Sequence, residues 1–200
     1  MQPPVILVHG FLASPALMVP MRERLQRRGF RVSLVSLPPL AIQDIERLTD
    51  ALAWNIERAL RRTGAEHVDL VGVSLGGLLA LRYSQRAAHL AQVRRIVALG
   101  SPFGGSALAT LGAPLIGWLS AGIGQVRPGS AALTALRQAG VPDGVTLTSI
   151  AMRGDLVATP TQCDFPGATL VELPGVTTPL THQWLIMSTA AVDAIDAALR

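Results

Sequence analysis

A single cysteine, Cys163, stands in the 200 residues, so no disulfide can form within the chain and the fold rests on its core. Lysine is missing altogether: every one of the 17 basic residues is arginine. Charged residues make up only 15% and aromatics 4% of the chain. No nucleic-acid motif accompanies the arginines and no aromatics are interleaved with them, which argues against nucleic-acid recognition. Thirteen arginines against seven acids give residues 1–95 a charge of +6, and the remainder carries −2. Arg22, Arg24, Arg27 and Arg28, like Arg58, Arg61 and Arg62, fall on helical stretches where a solvated face explains them. Apolar runs are broken by Gly, Pro or charge well short of the roughly 18 residues a membrane span needs. Met1 stands almost directly before a strand-like run, with no basic, apolar leader between. With one cysteine and no export signal, a cytoplasmic location is expected; a mature secreted form fits the same features.

Half of the residues are hydrophobic, enough to bury one substantial core, and residues 1–200 are expected to form one domain. Short β-branched and leucine-rich runs recur at 5–8, 31–35, 68–73, 94–99, 145–152 and 169–173, as buried parallel strands do. Helical patterns lie between them at about 15–28, 42–62, 75–88 and 184–199. In the second, Ile45, Leu48, Leu52, Ile56 and Leu60 share one face. The alternation predicts an α/β fold: a mostly parallel sheet of about six strands with helices on both faces.

In such a sheet, chemistry collects outside the carboxyl ends of the strands. Ser74 follows one of those ends, in Gly72-Val73-Ser74-Leu75-Gly76. A sharp strand-to-helix turn crowds its neighbours, and glycine two places before and after the serine supplies clearance. The motif thus presents the serine hydroxyl at the tip of a turn. A serine needs a base to take its proton and an acid to orient that base. Of four histidines, His67 opens a strand at the wrong end of the sheet, His89 is carried away by a helix, and His9 precedes a glycine in the first loop. His182 remains, in the loop before the last helix. For the acid, Asp155 follows the run 145–152 through Arg153-Gly154; Glu172 and Asp164 are the fallbacks, and Asp143 lies at the opposite edge. Two backbone N–H groups should receive the developing oxyanion: Leu75, directly after the serine, and Phe11, in the loop after the first strand, with His9 shaping that loop.

These stretches, in this order and spacing, resemble the α/β-hydrolase superfamily and within it the compact serine lipases and esterases. "HGF" at 9–11 is similar to the lipase oxyanion loop, "GVSLGG" at 72–77 to the nucleophile elbow, "GDLVATP" at 154–160 to the acid loop, and Thr181-His182 to the histidine loop. "GSPFGGSALA" at 100–109 resembles a lipase segment in which His often stands where Phe103 stands here, and "RPGSAALTAL" at 127–136 resembles a Pro-Gly-Ser segment of lipase-like hydrolases. The resemblance implies a minimal hydrolase that starts at the oxyanion strand. No second cysteine or acidic cluster matches the disulfide and calcium site of larger secreted lipases, so neither metal nor cofactor is expected.

Residues 103–141 interrupt the alternation. Leu108, Leu111, Leu115, Ile116, Trp118, Leu119 and Ile123 give this segment an apolar surface. It is read either as ordinary helices on the sheet or as a helical cap or lid over an acyl-binding cleft, with Phe103, Trp118 and Leu119 as candidate substrate contacts. The expected activity is hydrolysis of apolar carboxylic esters, small-molecule or lipid, through an acyl-enzyme, with transient contact at a lipid interface. A thioesterase or acyltransferase on the same triad, or a binding protein on a hydrolase fold, are the alternatives.

Overall fold

The computed structural model describes residues 2–86, 92–109 and 121–200. Six strands form one parallel sheet: β1 (Val5–Val8), β2 (Val32–Leu34), β3 (Val68–Val73), β4 (Val93–Leu99), β5 (Thr146–Met152) and β6 (Thr169–Leu173). Their spatial order is β2-β1-β3-β4-β5-β6. Every residue of β1 and β3 is buried, because helices cover both sheet faces. At the edges, β2 and β6 keep partly exposed side chains.

Alternation along each strand separates two cores. Ile6, Val8, Leu70 and Ile96 point to one face, under α2 (Ile45–Thr63), α3 (Leu75–Gln85) and α5 (Ala131–Ala139). Val5, Leu7, Val71 and Val97 point to the other, under α1 (Val19–Arg27), α7 (Thr181–Met187) and α8 (Thr189–Leu199). Helix α2 follows its sequence stripe: Ile45, Leu48, Leu52 and Ile56 are its buried apolar residues. The Asp44 carboxylate caps its start by accepting from Arg47 N at 2.9 Å, and Gly64, at φ 65°, ends it in a left-handed turn.

The chain leaves β1 in one direction to make β2, then returns past β1 to make β3. The loops after β1 and β3 therefore diverge to opposite faces and leave a crevice between them, the usual ligand position in open α/β sheets. Register fixes the rest: Val8 pairs with Gly72, so the residues beyond β1 stand level with Val73 and Ser74.

Two expected helices differ in outline. The stretch at 15–28 divides into a 3-10 turn, Pro15–Met18, and α1, with a proline in the first positions of each. The last helix divides at Ser188, whose extended backbone ends α7 and whose hydroxyl caps α8 by accepting from Ala191 N at 3.2 Å. Helix α7 consequently begins at Thr181 and takes in His182, which the sequence reading placed in a loop. Within 103–141, the described parts divide between roles. Leu133 and Leu136 of α5 belong to the core, as an ordinary layer helix requires, while Ile123 of α4 (Ala121–Gln125) borders a cavity. No helix among the described residues is long and apolar enough to cross a membrane.

Leu52 is fully buried in the core between α2 and the sheet. Leu52→Ala is expected to lower the free energy of unfolding by about 2–5 kcal/mol, read from urea denaturation with an unchanged slope. A loss under about 0.5 kcal/mol would contradict this packing.

Candidate active site

Ser74 sits between β3 and α3 at φ 55°, ψ −122°, a conformation that non-glycine residues adopt only when their surroundings impose it. Three glycines show what imposes it. A Cβ on Gly72 would lie 2.3 Å from the Gly76 carbonyl carbon; one on Gly76 would lie 2.3 Å from Val8 O; one on Gly77 would lie 2.1 Å from Ser101 Oγ. The start of α3 is thus wedged against the backbone at the end of β1 and against the Ala98 and Ser101 side chains at the end of β4, and the serine at its head faces the crevice. Gly77, the last residue of the "GVSLGG" stretch, provides the same clearance as Gly72 and Gly76, here toward Ser101.

Asp155 follows β5 and is 1% exposed. Its Oδ1 accepts from Val157 N at 2.8 Å and Ala158 N at 3.1 Å, and its Oδ2 lies 2.7 Å from His182 Nδ1. Three N–H donors thereby satisfy a buried carboxylate that would otherwise be costly. The acceptor opposite Nδ1 sets the tautomer: the proton sits on Nδ1, and Nε2 is left as the basic atom. Gly100, at φ 54°, lies behind the ring, where a Cβ would come within 3.1 Å of His182 Cε1 and 2.6 Å of Leu185 Cδ1.

Two further glycines lock the acid and base loops together. A Cβ on Gly154, at φ 81°, would lie 2.6 Å from Thr177 N, and one on Gly175 would lie 2.3 Å from Arg153 O. Thr181, fully buried, ties the base loop down: its hydroxyl donates to Val176 O and accepts from Thr178 N at 3.1 Å. The alternative acids lie elsewhere. Glu172 on β6 pairs with Arg153 at 3.1 Å on the surface, and Asp164 is exposed at the end of α6 (Pro160–Cys163). His67 stands before β3 at the amino ends of the strands, lining a surface pocket with Arg31 and Arg94, and His89 lies outside the described residues.

Ser74 and His182 face one cavity of about 460 Å³, although no hydrogen bond joins them among the described residues. Catalytic hydrogen bonds often close only around substrate. Phe11 and Leu75 line the same cavity beside the serine. Leu75 opens α3, where N–H groups have no intrahelical acceptor. A Cβ on Gly10 would lie 2.9 Å from Ser74 Cβ, which measures how closely the loop after β1 approaches. Among the described residues, the non-glycine positions with positive φ are Leu12, Leu40, Ala41 and Ser74. Leu12 N donates to Leu40 O at 2.7 Å, so the strained backbone gathers at the serine turn and at the loop facing it.

The cavity wall is mostly aliphatic, with Leu17, Met18, Leu108, Ile123, Val126 and Ile186. Phe103, expected to touch substrate, does not line it. Its side chain is fully buried, with its ring 5.1 Å from that of Phe165, because the turn after β4 directs it down into the core. Trp118 and Leu119 lie outside the described residues. Leu17, Met18 and Ile186 escaped the sequence reading because they sit on elements whose apolar residues read simply as core. Cys163 is a free, buried thiol whose pKa is pushed up to about 12 by burial and by the Asp155 charge, which keeps it unreactive. No cluster of three or more His, Cys, Asp or Glu side chains suited to a metal ion occurs among the described residues.

Sheet order, turn and cavity agree with the comparison to known families: residues 3–120 match the model of the alpha/beta hydrolase fold, and the chain belongs to that family. Solved structures extend the likeness over the whole chain. The mature form of the Bacillus licheniformis lipase BlEst2 is 19% identical, covering 99% of this chain and 92% of its own, with a TM-score of 0.80. Aspergillus fumigatus lipase B is 18% identical over 100% of this chain and 53% of its own, at a TM-score of 0.75. A thermophilic esterase from Thermogutta terrifontis is 18% identical over 99% and 89%, at 0.66. No curated protein matches the chain by sequence. At these identities the structural likeness speaks for the fold.

The contact between the acid and base loops is directly testable. Gly154→Ala forces a Cβ against the 176–177 backbone and is expected to cost about 1–3 kcal/mol in urea unfolding. It should also shift upfield the strongly deshielded Nδ1 proton of His182 in the NMR spectrum. An unchanged resonance and stability would show that the loops are not interlocked.

Proposed function

We propose that this chain is a serine carboxylic-ester hydrolase acting on apolar acyl esters, with residues 1–200 working as one hydrolase domain. The observation that carries the reading is the convergence of the Asp155–His182 hydrogen bond, 2.7 Å long, and the strained Ser74 turn on one aliphatic cavity. The neighbours named as lipases and an esterase support it.

In this mechanism Ser74 Oγ attacks the acyl carbonyl while His182 Nε2 takes the hydroxyl proton. Asp155 holds the imidazole by its Nδ1–H and stabilises the imidazolium. The carbonyl oxygen becomes an oxyanion, which receives hydrogen bonds from Phe11 N–H and Leu75 N–H. Collapse of the tetrahedral intermediate breaks the bond to the alcohol, which leaves with the proton from His182. Water then gives its proton to His182 and attacks the acyl-enzyme, releasing the carboxylic acid and restoring the serine. The aliphatic wall provides room for the acyl chain and little hydrogen bonding for a polar one. Leu12, Leu17 and Leu108, roughly half exposed at the cavity, form a rim suited to brief contact with a lipid surface.

A panel of p-nitrophenyl esters with acetyl, butyryl and octanoyl groups, run beside a matching thioester, tests the reading. Ser74→Ala is expected to lower kcat at least about 10⁴-fold, and the wild type should prefer the butyryl or octanoyl ester to acetate. Turnover unaffected by Ser74→Ala would reject the mechanism. Faster turnover of the thioester than of the oxyester would move the assignment to a thioesterase.

A further inference from the structure

His9 is 1% exposed, yet core packing does not account for it. Its Nε2 is buried with no hydrogen-bond partner among the described residues, a cost that an aliphatic residue of similar size would avoid. The ring makes one hydrogen bond, from Nδ1 to Gly10 O at 3.0 Å. A carbonyl can only accept, so Nδ1 carries the proton. Burial lowers the pKa of this imidazole, which favours the neutral ring with that tautomer.

The carbonyl that His9 holds belongs to the Gly10–Phe11 peptide unit. In a trans peptide, C=O and N–H lie in one plane and point in opposite directions. Fixing Gly10 O therefore fixes Phe11 N–H at the other end of the same plane. That peptide cannot settle by packing alone, since Gly10 carries no side chain and its Cα abuts Ser74. The far side of the loop is held separately, by Leu12 N donating to Leu40 O at 2.7 Å. His9 supplies the restraint on the near side.

We propose that His9 is a positioning residue which, by donating from Nδ1 to Gly10 O, aims Phe11 N–H at the oxyanion formed on a substrate attacked by Ser74. The proposal rests on the ester-hydrolase reading above and adds to it a residue that touches no reacting atom.

Three variants and one spectrum test it. His9→Leu removes the donor at similar size and is expected to lower kcat for p-nitrophenyl butyrate by about 10–100-fold, with KM within about twofold of wild type. Replacing the ester carbonyl oxygen by sulfur weakens oxyanion hydrogen bonds, so the oxo-to-thiono rate ratio should fall in His9→Leu. His9→Asn, whose amide can place an N–H near the Nδ1 position, should restore most of both losses. An unchanged kcat and ratio in His9→Leu would overturn the proposal. So would equal losses in Leu and Asn variants with an unchanged ratio, which mark a merely structural role. If His9→Leu does not fold, nitrogen NMR of the wild-type imidazole still decides: a neutral ring protonated at Nδ1 is expected, and a proton on Nε2 overturns it. Ser74→Ala separates the two readings. Full activity in that variant defeats the hydrolase assignment itself, whereas its inactivity beside a fully active His9→Leu defeats only the role of His9.

Discussion

The site depends on a steric constraint: the first turn of α3 is pressed against the backbone at the end of β1 and against the Ala98 and Ser101 side chains at the end of β4, leaving no room for a Cβ at Gly72, Gly76 or Gly77. Because that wedge cannot relax, Ser74 is held at positive φ and its hydroxyl is presented rather than packed. Leu75 opens α3 directly after the serine, and Gly10 approaches so closely that a Cβ on it would lie 2.9 Å from Ser74 Cβ. The candidate nucleophile and both candidate oxyanion donors therefore meet at one crowded turn. The strain is borne by the two fully buried strands that carry it, β1 and β3, and by the two packed cores on either side of them.

The proposed acid and base, Asp155 and His182, have a different origin. They sit at the ends of β5 and β6, and their pairing requires two loops to meet with almost no side chain between them, through Gly154 and Gly175. Asp155 is then a carboxylate with three donors, deep enough to be shielded from water yet fully hydrogen-bonded. Such a group orients an imidazole well because it has nowhere else to point. Gly100 closes the arrangement from behind the ring.

What was legible in the sequence follows from this division. Strand positions were readable because parallel strands buried on both faces leave unbroken apolar runs, and β3 and β6 coincide with the stretches 68–73 and 169–173. Ser74 and its flanking glycines were readable because the elbow is a local motif. Asp155 and His182 were reached only through chain order and strand ends, since nothing near either residue encodes a partner 27 positions away. The break at Ser188 is hidden because an apolar pattern continues across it, although serine is among the residues that favour the cap position before a helix. Phe103, expected at the cavity, lies in the core instead, since a side chain's direction after a strand end depends on the turn, which the sequence pattern does not give. The roles of Gly77, Gly100 and Gly175 are tertiary: each is defined by a neighbour distant in the chain.

The proposed chemistry stands or falls with Ser74 as a nucleophile activated by His182. The most direct measurement is labelling of the native protein with a fluorophosphonate, followed by peptide mass mapping. One label per chain is expected on the peptide holding Ser74, with much slower labelling once His182 is replaced by alanine. A folded protein that stays unlabelled, or one labelled at another serine, would contradict it.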